Sequence, residues 1–362
     1  MTSKIDGLRV LIVTPFTFIA EEVAKRLAKK GVSILIISHQ LTEEFMKDEK
    51  LKSIYFFSLR ENSIDVVIKL LKTLISFKPN VIQMYTGGGI LGLLTFPFIK
   101  ICSIFFGSRI VSWIMEPVPR PGIYRPRLSW IETKLEARFA SLIITDTEKL
   151  KKLIEKVHKI PPKKVIAFTN EWDATLFYRY RKDYDERKWI LFFGTVSENK
   201  GLEYLIKAEP IITKDNPDAK IVIAGRNQEK YYNLIKNKNN YILLNRFISY
   251  REGAELFQKS MIIVLPYTSG TVSGIIPVAY AFKKPIIATR VGCFDEVVED
   301  GKTGILIPPR DHEALAKAII LLLEDKDKRE GIGKSGFTKL KTEFSWDIVV
   351  DKMIAIYLKL IS

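Results

Sequence analysis

The chain has 362 residues, a length that suits two domains, and its hydrophobic content of 47% allows each domain a buried core. Two cysteines are too few for a disulfide framework, which fits a reducing cytosol, and three widely spaced histidines without a cysteine cluster argue against zinc. The formal net charge of +16 favours polyanions, anionic membrane surfaces or phosphate-bearing ligands as partners.

The first half of the chain alternates apolar runs with helical periodicity, which is typical of a parallel α/β sheet. No signal peptide is expected, because the first apolar run is short and strand-like. The predicted strands are Leu8–Val13, Ser33–Ile37, Ser53–Phe57, Val81–Met84, Arg109–Trp113 and Leu142–Thr145. The predicted helices are Ile19–Lys30, which ends at Gly31, Ser63–Phe77 and Trp130–Phe139.

The segment Ile90–Phe106 is the one candidate for a membrane span. Pro97 and Lys100 interrupt it, and its apolar length falls short of the roughly 20 residues that a span needs. We therefore expect a buried or surface-lying helix.

Basic residues are dense after this segment. A solvated face explains such a run as well as a membrane-facing or acceptor-facing surface does, and both interpretations stay open. The basic residues are Arg120, Arg125, Arg127, Lys134, Arg138, Lys149, Lys151, Lys152, Lys156, Lys159, Lys163 and Lys164. Four prolines between Trp113 and Arg127 predict a functional loop at the start of this run.

A polar string near Phe177–Lys188 predicts a domain boundary, after which the strand and helix alternation restarts. The predicted strands are Trp189–Phe193, Lys220–Ala224, Tyr241–Leu244, Ile262–Leu265, Ile286–Ala288 and Gly304–Ile307. The predicted helices are Leu202–Ile212, Ile275–Phe282, His312–Leu323 with Asp311 as N-cap or first-turn acid, and Trp346–Leu360. The expected domains cover residues 1–178 and 188–345, and residues 346–362 form a helix that returns to the first domain.

The stretch Ile262–Thr289 places a loop of small residues, Pro266–Gly274, between a buried strand and a helix start. Free backbone N–H groups attract anions there, and glycine lets a ligand approach closely, so a phosphate or sugar site is predicted. An ordinary βαβ unit explains this stretch equally well. A second strand-to-helix loop has Gly194 at its bend and Lys200-Gly201 before its helix, where a lysine can neutralise a diphosphate.

Four runs follow one another in the second half: the Gly194–Gly201 loop, IVIAGR, RFISYREGAELFQKSMIIVLPY, and PVAYAFKKPIIATRVGCFDEVVEDGKTGILIPPRDHEALAKAI. In this order they resemble the C-terminal domain of the family 4 retaining glycosyltransferases, which have the GT-B fold. The resemblance covers roughly Ile190–Leu323, is fair at Val165–Phe177 and is weaker over the first domain.

The resemblance implies an α/β protein with two Rossmann-like parallel-sheet domains that face a cleft. It also implies transfer of a sugar, commonly a hexose, from a nucleotide diphospho-sugar to an acceptor, with retained configuration and without a metal or other cofactor. Lys200 and the backbone N–H groups of the small-residue loop would stabilise the leaving diphosphate. The donor contacts that follow are Gly194, Thr195, Lys200, Ser269, Gly270, Thr271, Val272, Ser273, Gly274 and Glu296.

The sequence departs from the family pattern at three donor positions. Thr195 stands where the family normally has an arginine, and Gly270 and Val278 stand where many members carry two glutamates. We favour an active enzyme with altered ribose and sugar contacts over a homologue that only binds.

In the first domain, Pro15-Phe16-Thr17 replaces the usual Gly-Gly, and Glu116 falls where the family has the second residue of a His-Asp or His-Asn pair. Glu116 is therefore a catalytic candidate beside Lys200, although pairing with Arg120 explains it equally well. The acceptor-side candidates are Phe16, Thr17 and Arg120.

These patterns predict a cytoplasmic or peripheral inner-membrane enzyme that acts on a lipid-linked or surface-glycan acceptor. One alternative is a non-catalytic nucleotide- or sugar-binding homologue. Another is a glycosyltransferase that modifies nucleic acid; no nucleic acid is expected, because Trp130 and Phe139 lie in a predicted helix and suit a core better than a stacking platform.

Overall fold

The computed structural model describes residues 5, 7–14, 17–38, 54–58, 72–85, 90–119, 126–172 and 174–362. The chain forms two compact units: unit 1 comprises Met1–Thr169 with Trp346–Ser362, and unit 2 comprises Asn170–Ser345.

Unit 1 contains a parallel sheet of seven strands in the order β3-β2-β1-β4-β5-β6-β7. The strands are β1 Arg9–Val13, β2 Ser33–Ser38, β3 Ile54–Ser58, β4 Val81–Tyr85, β5 Arg109–Trp113, β6 Leu142–Thr145 and β7 Val165–Ala167. The helices are α1 Thr17–Lys29, α2 Ile90–Phe106, α3 Pro126–Phe139 and α4 Glu148–His158, and residues 72–77 are also helical. The start of the predicted helix Ser63–Phe77 lies outside the described residues.

Unit 2 contains a parallel sheet of six strands in the order β10-β9-β8-β11-β12-β13. The strands are β8 Arg187–Phe193, β9 Lys220–Ala224, β10 Tyr241–Leu244, β11 Ser260–Leu265, β12 Ile286–Thr289 and β13 Ile305–Ile307. The helices are α5 Ala174–Tyr178, α6 Leu202–Asp215, α7 Tyr250–Lys259, α8 Ile275–Ala281, α9 Phe294–Val297, α10 His312–Glu324 and α11 Lys326–Lys339. Asp311 caps α10, as predicted, because its carboxylate accepts the N–H of Ala314 at 2.8 Å.

The periodic segments predicted from the sequence are present in both units, but six of the elements given above were missed: β7, α4, α5, α7, α9 and α11. Strand β7 has only three residues, which is too short for a clear pattern. Helices α4, α7 and α11 carry many charged residues, and α11 places Gly331, Gly333 and Gly336 within a helix. Tertiary packing, which a local pattern does not show, offsets the low helix propensity of glycine.

The last helix, α12 Trp346–Ile361, packs in unit 1, as predicted. Its buried face includes Trp346, Val350 and Met353. The Tyr357 hydroxyl donates to Oε1 of Gln83, a buried residue of β4, at 2.8 Å. The helix is therefore fixed to the middle of the sheet by a buried polar contact as well as by apolar packing.

We expect Tyr357→Phe to destabilise unit 1 by about 1–3 kcal/mol, because the buried Oε1 of Gln83 would lose its donor. Amide hydrogen exchange in β4 and β5 should accelerate, whereas exchange in β8 and β11 of unit 2 should not change. Equal protection of β4 in the variant and the parent would show that this hydrogen bond contributes nothing.

Both sheets are parallel, so all strands of one unit end at the same edge. In unit 2, β8 pairs with β9 on one side and with β11 on the other. The loops that follow these three strands are therefore neighbours, and this edge carries the predicted donor residues.

Candidate donor-binding site

The loops after β8 and β9 pack backbone against backbone. The Gly194 N–H donates to the Ala224 carbonyl at 2.8 Å, and the Val196 N–H donates to the Arg226 carbonyl at 2.8 Å. A Cβ on Gly225, whose φ is +148°, would lie 2.0 Å from the Gly194 carbonyl oxygen. Only glycine permits this approach, which places Arg226 beside the exposed Thr195.

The loop after β8 also packs against the loop after β11. Gly201 has a φ of +64°, and a Cβ there would lie 1.9 Å from the Pro266 carbonyl oxygen. The Thr268 N–H donates to the Asn199 carbonyl at 2.9 Å, and the Asn199 side chain donates to the Ser269 carbonyl at 3.2 Å. The predicted lysine turn and the predicted small-residue loop thus form one structure.

Lys200 is held by Tyr267, the residue that follows Pro266. The ammonium lies 3.9 Å from the centroid of the Tyr267 ring and is hydrogen-bonded to its hydroxyl. Tyr267 is buried, and its hydroxyl lies 3.3 Å from Oγ of Ser273. A cation stacked on a buried ring has a fixed position, which is the condition for stabilising charge without reorganisation.

We name Gly270–Gly274 the donor loop. Its Thr271 carbonyl accepts the Cys293 N–H at 2.9 Å, and a Cβ on Gly292 would lie 2.0 Å from the Gly270 carbonyl oxygen. The loop's first two carbonyls are thereby turned toward residues 292–293. Among the described residues, the backbone N–H groups of the donor loop meet no hydrogen-bond acceptor. They are available to an anionic ligand.

Helix α8 begins directly after the donor loop and has seven residues. Val278 is fully buried among the core residues of unit 2, so this position packs the helix against the sheet. Because α8 is short, we expect anion binding at this site to depend on the N–H groups of the loop more than on the helix dipole.

The remaining predicted donor residues lie at the same edge of unit 2. Val272 is half-buried within the donor loop, and Glu296 is half-buried in α9. Helix α9 follows Cys293, whose N–H contacts the loop, so Glu296 is brought toward it.

The first-domain candidates belong to unit 1. Glu116 is half-buried in the segment after β5, at the carboxyl edge of its sheet. Thr17 is the first residue of α1. Phe16 and Arg120 lie outside the described residues, so the suggested Glu116–Arg120 pairing stays a prediction.

A buried acid lies at that same edge of unit 1. Asp146 follows β6 and accepts the Trp113 indole N–H at 3.0 Å. Burial raises the pKa of Asp146 to about 7. Because both side chains are buried, Asp146 orients Trp113 within the core.

Two residues of unit 2 were not predicted as site residues. Tyr267 follows a buried strand, and Arg226 occurs in the run IVIAGR that supported the family resemblance. Neither position has a local signal for function, because each acquires its place only when neighbouring strand ends meet.

Within the described ranges, no group of three or more His, Cys, Asp or Glu side chains is arranged to hold a metal ion.

The sequence of unit 2 matches a known family. Residues 178–339 match the family model described as glycosyl transferases group 1. Residues 178–339, which make up most of unit 2, therefore resemble the glycosyl transferases group 1 family. The predicted family resemblance is thereby confirmed for these residues, whereas the enzyme class and the significance of the missing donor-loop glutamates stay interpretations.

Two curated relatives are each similar to about half of this chain. Alpha-D-kanosaminyltransferase of Streptomyces kanamyceticus is 26% identical over 183 residues, which are 49% of this chain and 47% of the relative. Phosphatidyl-myo-inositol mannosyltransferase of Mycobacterium leprae is 27% identical over 175 residues, which are 47% of this chain and 46% of the relative. The chain thus spans about half the length of these relatives.

A solved structure is similar to nearly the whole chain and not only to residues 178–339. HepE of Anabaena, crystallised with UDP, superposes with a TM-score of 0.73 at 16% identity over 97% of this chain and 100% of HepE. This likeness concerns the fold, and it confirms the predicted GT-B fold class.

Proposed function

We propose that the chain is a retaining, metal-independent glycosyltransferase that uses a nucleotide diphospho-sugar. The observation that carries the proposal is the fixed Lys200 ammonium beside a donor loop whose N–H groups are available. The leaving group of such a transfer is a nucleoside diphosphate, and its charge grows in the transition state. A positioned cation and backbone donors stabilise that charge without a metal.

The nucleotide is proposed to be UDP or a close relative. HepE has been crystallised with UDP and with UDP-glucose, and it shares the fold of this chain. A panel of nucleoside diphosphates and nucleotide sugars, tested by calorimetry and by donor hydrolysis, examines this proposal. Binding without hydrolysis or transfer would support the non-catalytic homologue instead.

Arg226 is proposed to supply the cationic contact that Thr195 lacks. Backbone packing places Arg226 beside Thr195. Its guanidinium lies 5.4 Å from the Phe247 ring centroid, and among the described residues no carboxylate pairs with it. A planar guanidinium suits phosphate recognition.

We expect Arg226→Ala to weaken UDP binding about 10-fold or more, because one charge-assisted hydrogen bond is lost. Adding Thr195→Arg to this variant should restore most of the affinity, since the new guanidinium would start from the neighbouring loop. The charge-matched control is Arg251→Ala. Arg251 lies in α7, and its guanidinium packs on the Tyr180 ring. Unchanged calorimetric affinity in Arg226→Ala would exclude Arg226 from the site.

The acceptor is proposed to be lipid-linked or attached to a surface glycan, with unit 1 resting on the inner membrane face. Helix α2 exposes Ile101, Ile104 and Phe105, the last to 77%. Phe139, expected in the core, is instead 42% exposed at the end of α3, with the Lys100 ammonium 5.4 Å from its ring centroid. No helix within the described residues is long and apolar enough to cross a membrane.

This combination of exposed apolar side chains and cations fits an interfacial surface better than a solvated face. The Lys164 ammonium donates to the Ala137 and Arg138 carbonyls at 3.0 Å each, so basic groups surround the end of α3 beside Phe139. A nucleic-acid-modifying enzyme is the second candidate. The Trp130 ring argues against it, because it is half-buried, with its centroid 5.0 Å from that of the His158 ring, and offers no open platform on which a base could stack.

We expect the chain to float with anionic vesicles at low salt and to be released at high salt, because each basic residue near the surface contributes about 1 kcal/mol. Ile104→Ser with Phe105→Ser should reduce flotation with anionic vesicles at low salt. Leu321→Ser changes an exposed leucine of α10 in unit 2 and is the control. Equal binding to neutral vesicles would indicate an apolar anchor, and salt-dependent binding to duplex DNA would favour the second candidate.

A further inference from the structure

A groove of about 410 Å³ lies in unit 2 between residues 178–185 and residues 281–284. We call it the linker groove. It adjoins the start of β8 and the end of α8, so it lies at the sheet edge opposite the donor loop. Its volume is in the range of small-molecule sites.

Aromatic side chains form the walls of the linker groove. Phe282 is buried and packs on the Tyr178 ring at 5.8 Å between centroids, and Tyr184 also lines the groove. The Lys182 backbone N–H donates to Oε1 of Gln258 at 3.0 Å, which fixes the linker against α7. The groove therefore has a formed apolar surface.

Cations on aromatic faces surround this surface. The Arg181 guanidinium lies 4.8 Å from the Tyr178 ring centroid and is hydrogen-bonded to its hydroxyl. The Lys283 ammonium lies 5.1 Å from the Phe337 centroid, and the Lys341 ammonium lies 5.9 Å from the Tyr178 centroid. Within the part of the chain that the structure describes, none of these three cations has a carboxylate partner. They are held in place and remain available to an anion.

The other charged groups leave the groove positive. Asp183 and Asp185 line it together with Lys182. The buried Lys284 pairs with Glu186 at 2.5 Å, and Arg329 lies 3.8 Å from the same carboxylate. Cations therefore outnumber carboxylates around the groove.

The C-terminal end of α8, which faces the linker groove, repels an anion only weakly. Carbonyl groups of its last turn accept N–H groups of the following turn: Lys283 N–H bonds to the Tyr280 carbonyl at 2.9 Å, and Lys284 N–H bonds to the Ala279 carbonyl at 2.9 Å. Satisfied carbonyls expose little of the negative end of the helix.

We propose that the linker groove binds a phosphorylated ring compound, either a sugar phosphate or a nucleotide. Arg181 and Lys283 hold the phosphoryl group, and the tyrosine rings contact the ring of the ligand. Arginine matches phosphate geometry, and aromatic faces accept both sugar rings and bases. This site is separate from the donor site and does not depend on the proposed transfer.

Two short helices connect the linker groove with the donor loop. Helix α8 starts after Gly274 and ends at the groove, and α5 ends with Tyr178 in the groove wall. Just before α5, Trp172 packs near Gly274, where a Cβ would lie 3.6 Å from the Trp172 Cβ. An occupant of the groove is therefore expected to change UDP affinity at the donor loop.

The test is calorimetric titration of the whole chain with glucose 6-phosphate, AMP and inorganic phosphate, run both without UDP and with UDP in excess, because UDP is itself a nucleotide and could compete for the groove. A ring phosphate should bind at least 10-fold more tightly than inorganic phosphate, and the preferred ring distinguishes a sugar phosphate from a nucleotide. Arg181→Ala with Lys283→Ala should weaken this binding at least 10-fold and leave the UDP affinity of the ligand-free chain unchanged.

The control Lys317→Ala with Lys328→Ala removes two exposed charges elsewhere in unit 2 and should have no effect. Equal affinity for inorganic phosphate and the ring phosphates would overturn the site, and so would undiminished binding in the Arg181–Lys283 double variant. If UDP did not bind at all but the Arg181–Lys283 double variant still showed weakened binding of the ring phosphate, the result would count against the proposed transfer and not against the linker groove.

Discussion

Lys200→Ala is expected to lower the turnover number about 100-fold or more and to weaken UDP binding less. The ammonium is fixed by the Tyr267 ring and hydroxyl, so it needs no reorganisation when charge grows on the leaving diphosphate. Losing one preorganised charge stabiliser costs on the order of 3 kcal/mol of transition-state free energy. Initial rates with a saturating donor, together with calorimetric UDP affinity, separate the two effects.

Two variants show whether the position of the ammonium matters. Tyr267→Phe keeps the ring and removes the hydroxyl that links Lys200 to Ser273, so we expect a smaller loss of turnover, about 10-fold. Lys207→Ala removes another ring-stacked lysine, 5.5 Å from the Tyr204 centroid, and should be silent. If Lys200→Ala turned over like the parent, Lys200 would be a surface lysine with no part in the reaction.

Gly270→Val is expected to abolish measurable UDP binding while the protein remains folded. Among the described residues, a Cβ at Gly270 would meet the Tyr267 ring alone, at 3.7 Å, so this part of the fold has room for a side chain. The branched side chain would instead occupy the space in front of the donor-loop N–H groups, where the diphosphate must approach closely. Calorimetry with UDP measures the loss, and thermal unfolding verifies the fold.

The comparison variants for Gly270→Val are Ser273→Ala and Gly331→Val. Ser273→Ala should cost about one hydrogen bond, on the order of 1 kcal/mol of binding free energy. Gly331 has no atom within 4 Å of a built Cβ, so Gly331→Val tests the effect of adding the same side chain away from the site. Undiminished affinity in Gly270→Val would mean that the donor loop is structural and that UDP binds elsewhere.

The two sets of variants also distinguish an enzyme from a binding protein. A homologue that only binds would lose UDP affinity in Gly270→Val and would show no turnover for Lys200→Ala to reduce. An active enzyme should show both effects. The absence of carboxylates at Gly270 and Val278 makes this distinction necessary, and the complete burial of Val278 shows that this position now serves the core.

The sequence by itself determined the class of the protein. Apolar runs and helical periodicity are local, so they predicted most strands and long helices and the parallel α/β architecture of both units. The ordered runs between Gly194 and Leu323 predicted the family, since they preserve the turn and loop positions that a nucleotide-sugar site requires. The small-residue loop and Lys200 were found in this way.

Only the tertiary structure decided which of these residues meet. Lys200 and Tyr267 are 67 positions apart, and Tyr357 and Gln83 are 274 positions apart, so no local pattern relates them. Strand order sets these contacts: β8 lies between β9 and β11, which brings Arg226, Lys200 and the donor loop to one edge. The same packing placed Val278 in the core and exposed Phe139. A side chain's role at a sheet edge depends on its neighbours across strands, and parallel strands are joined by long crossovers that separate those neighbours in sequence.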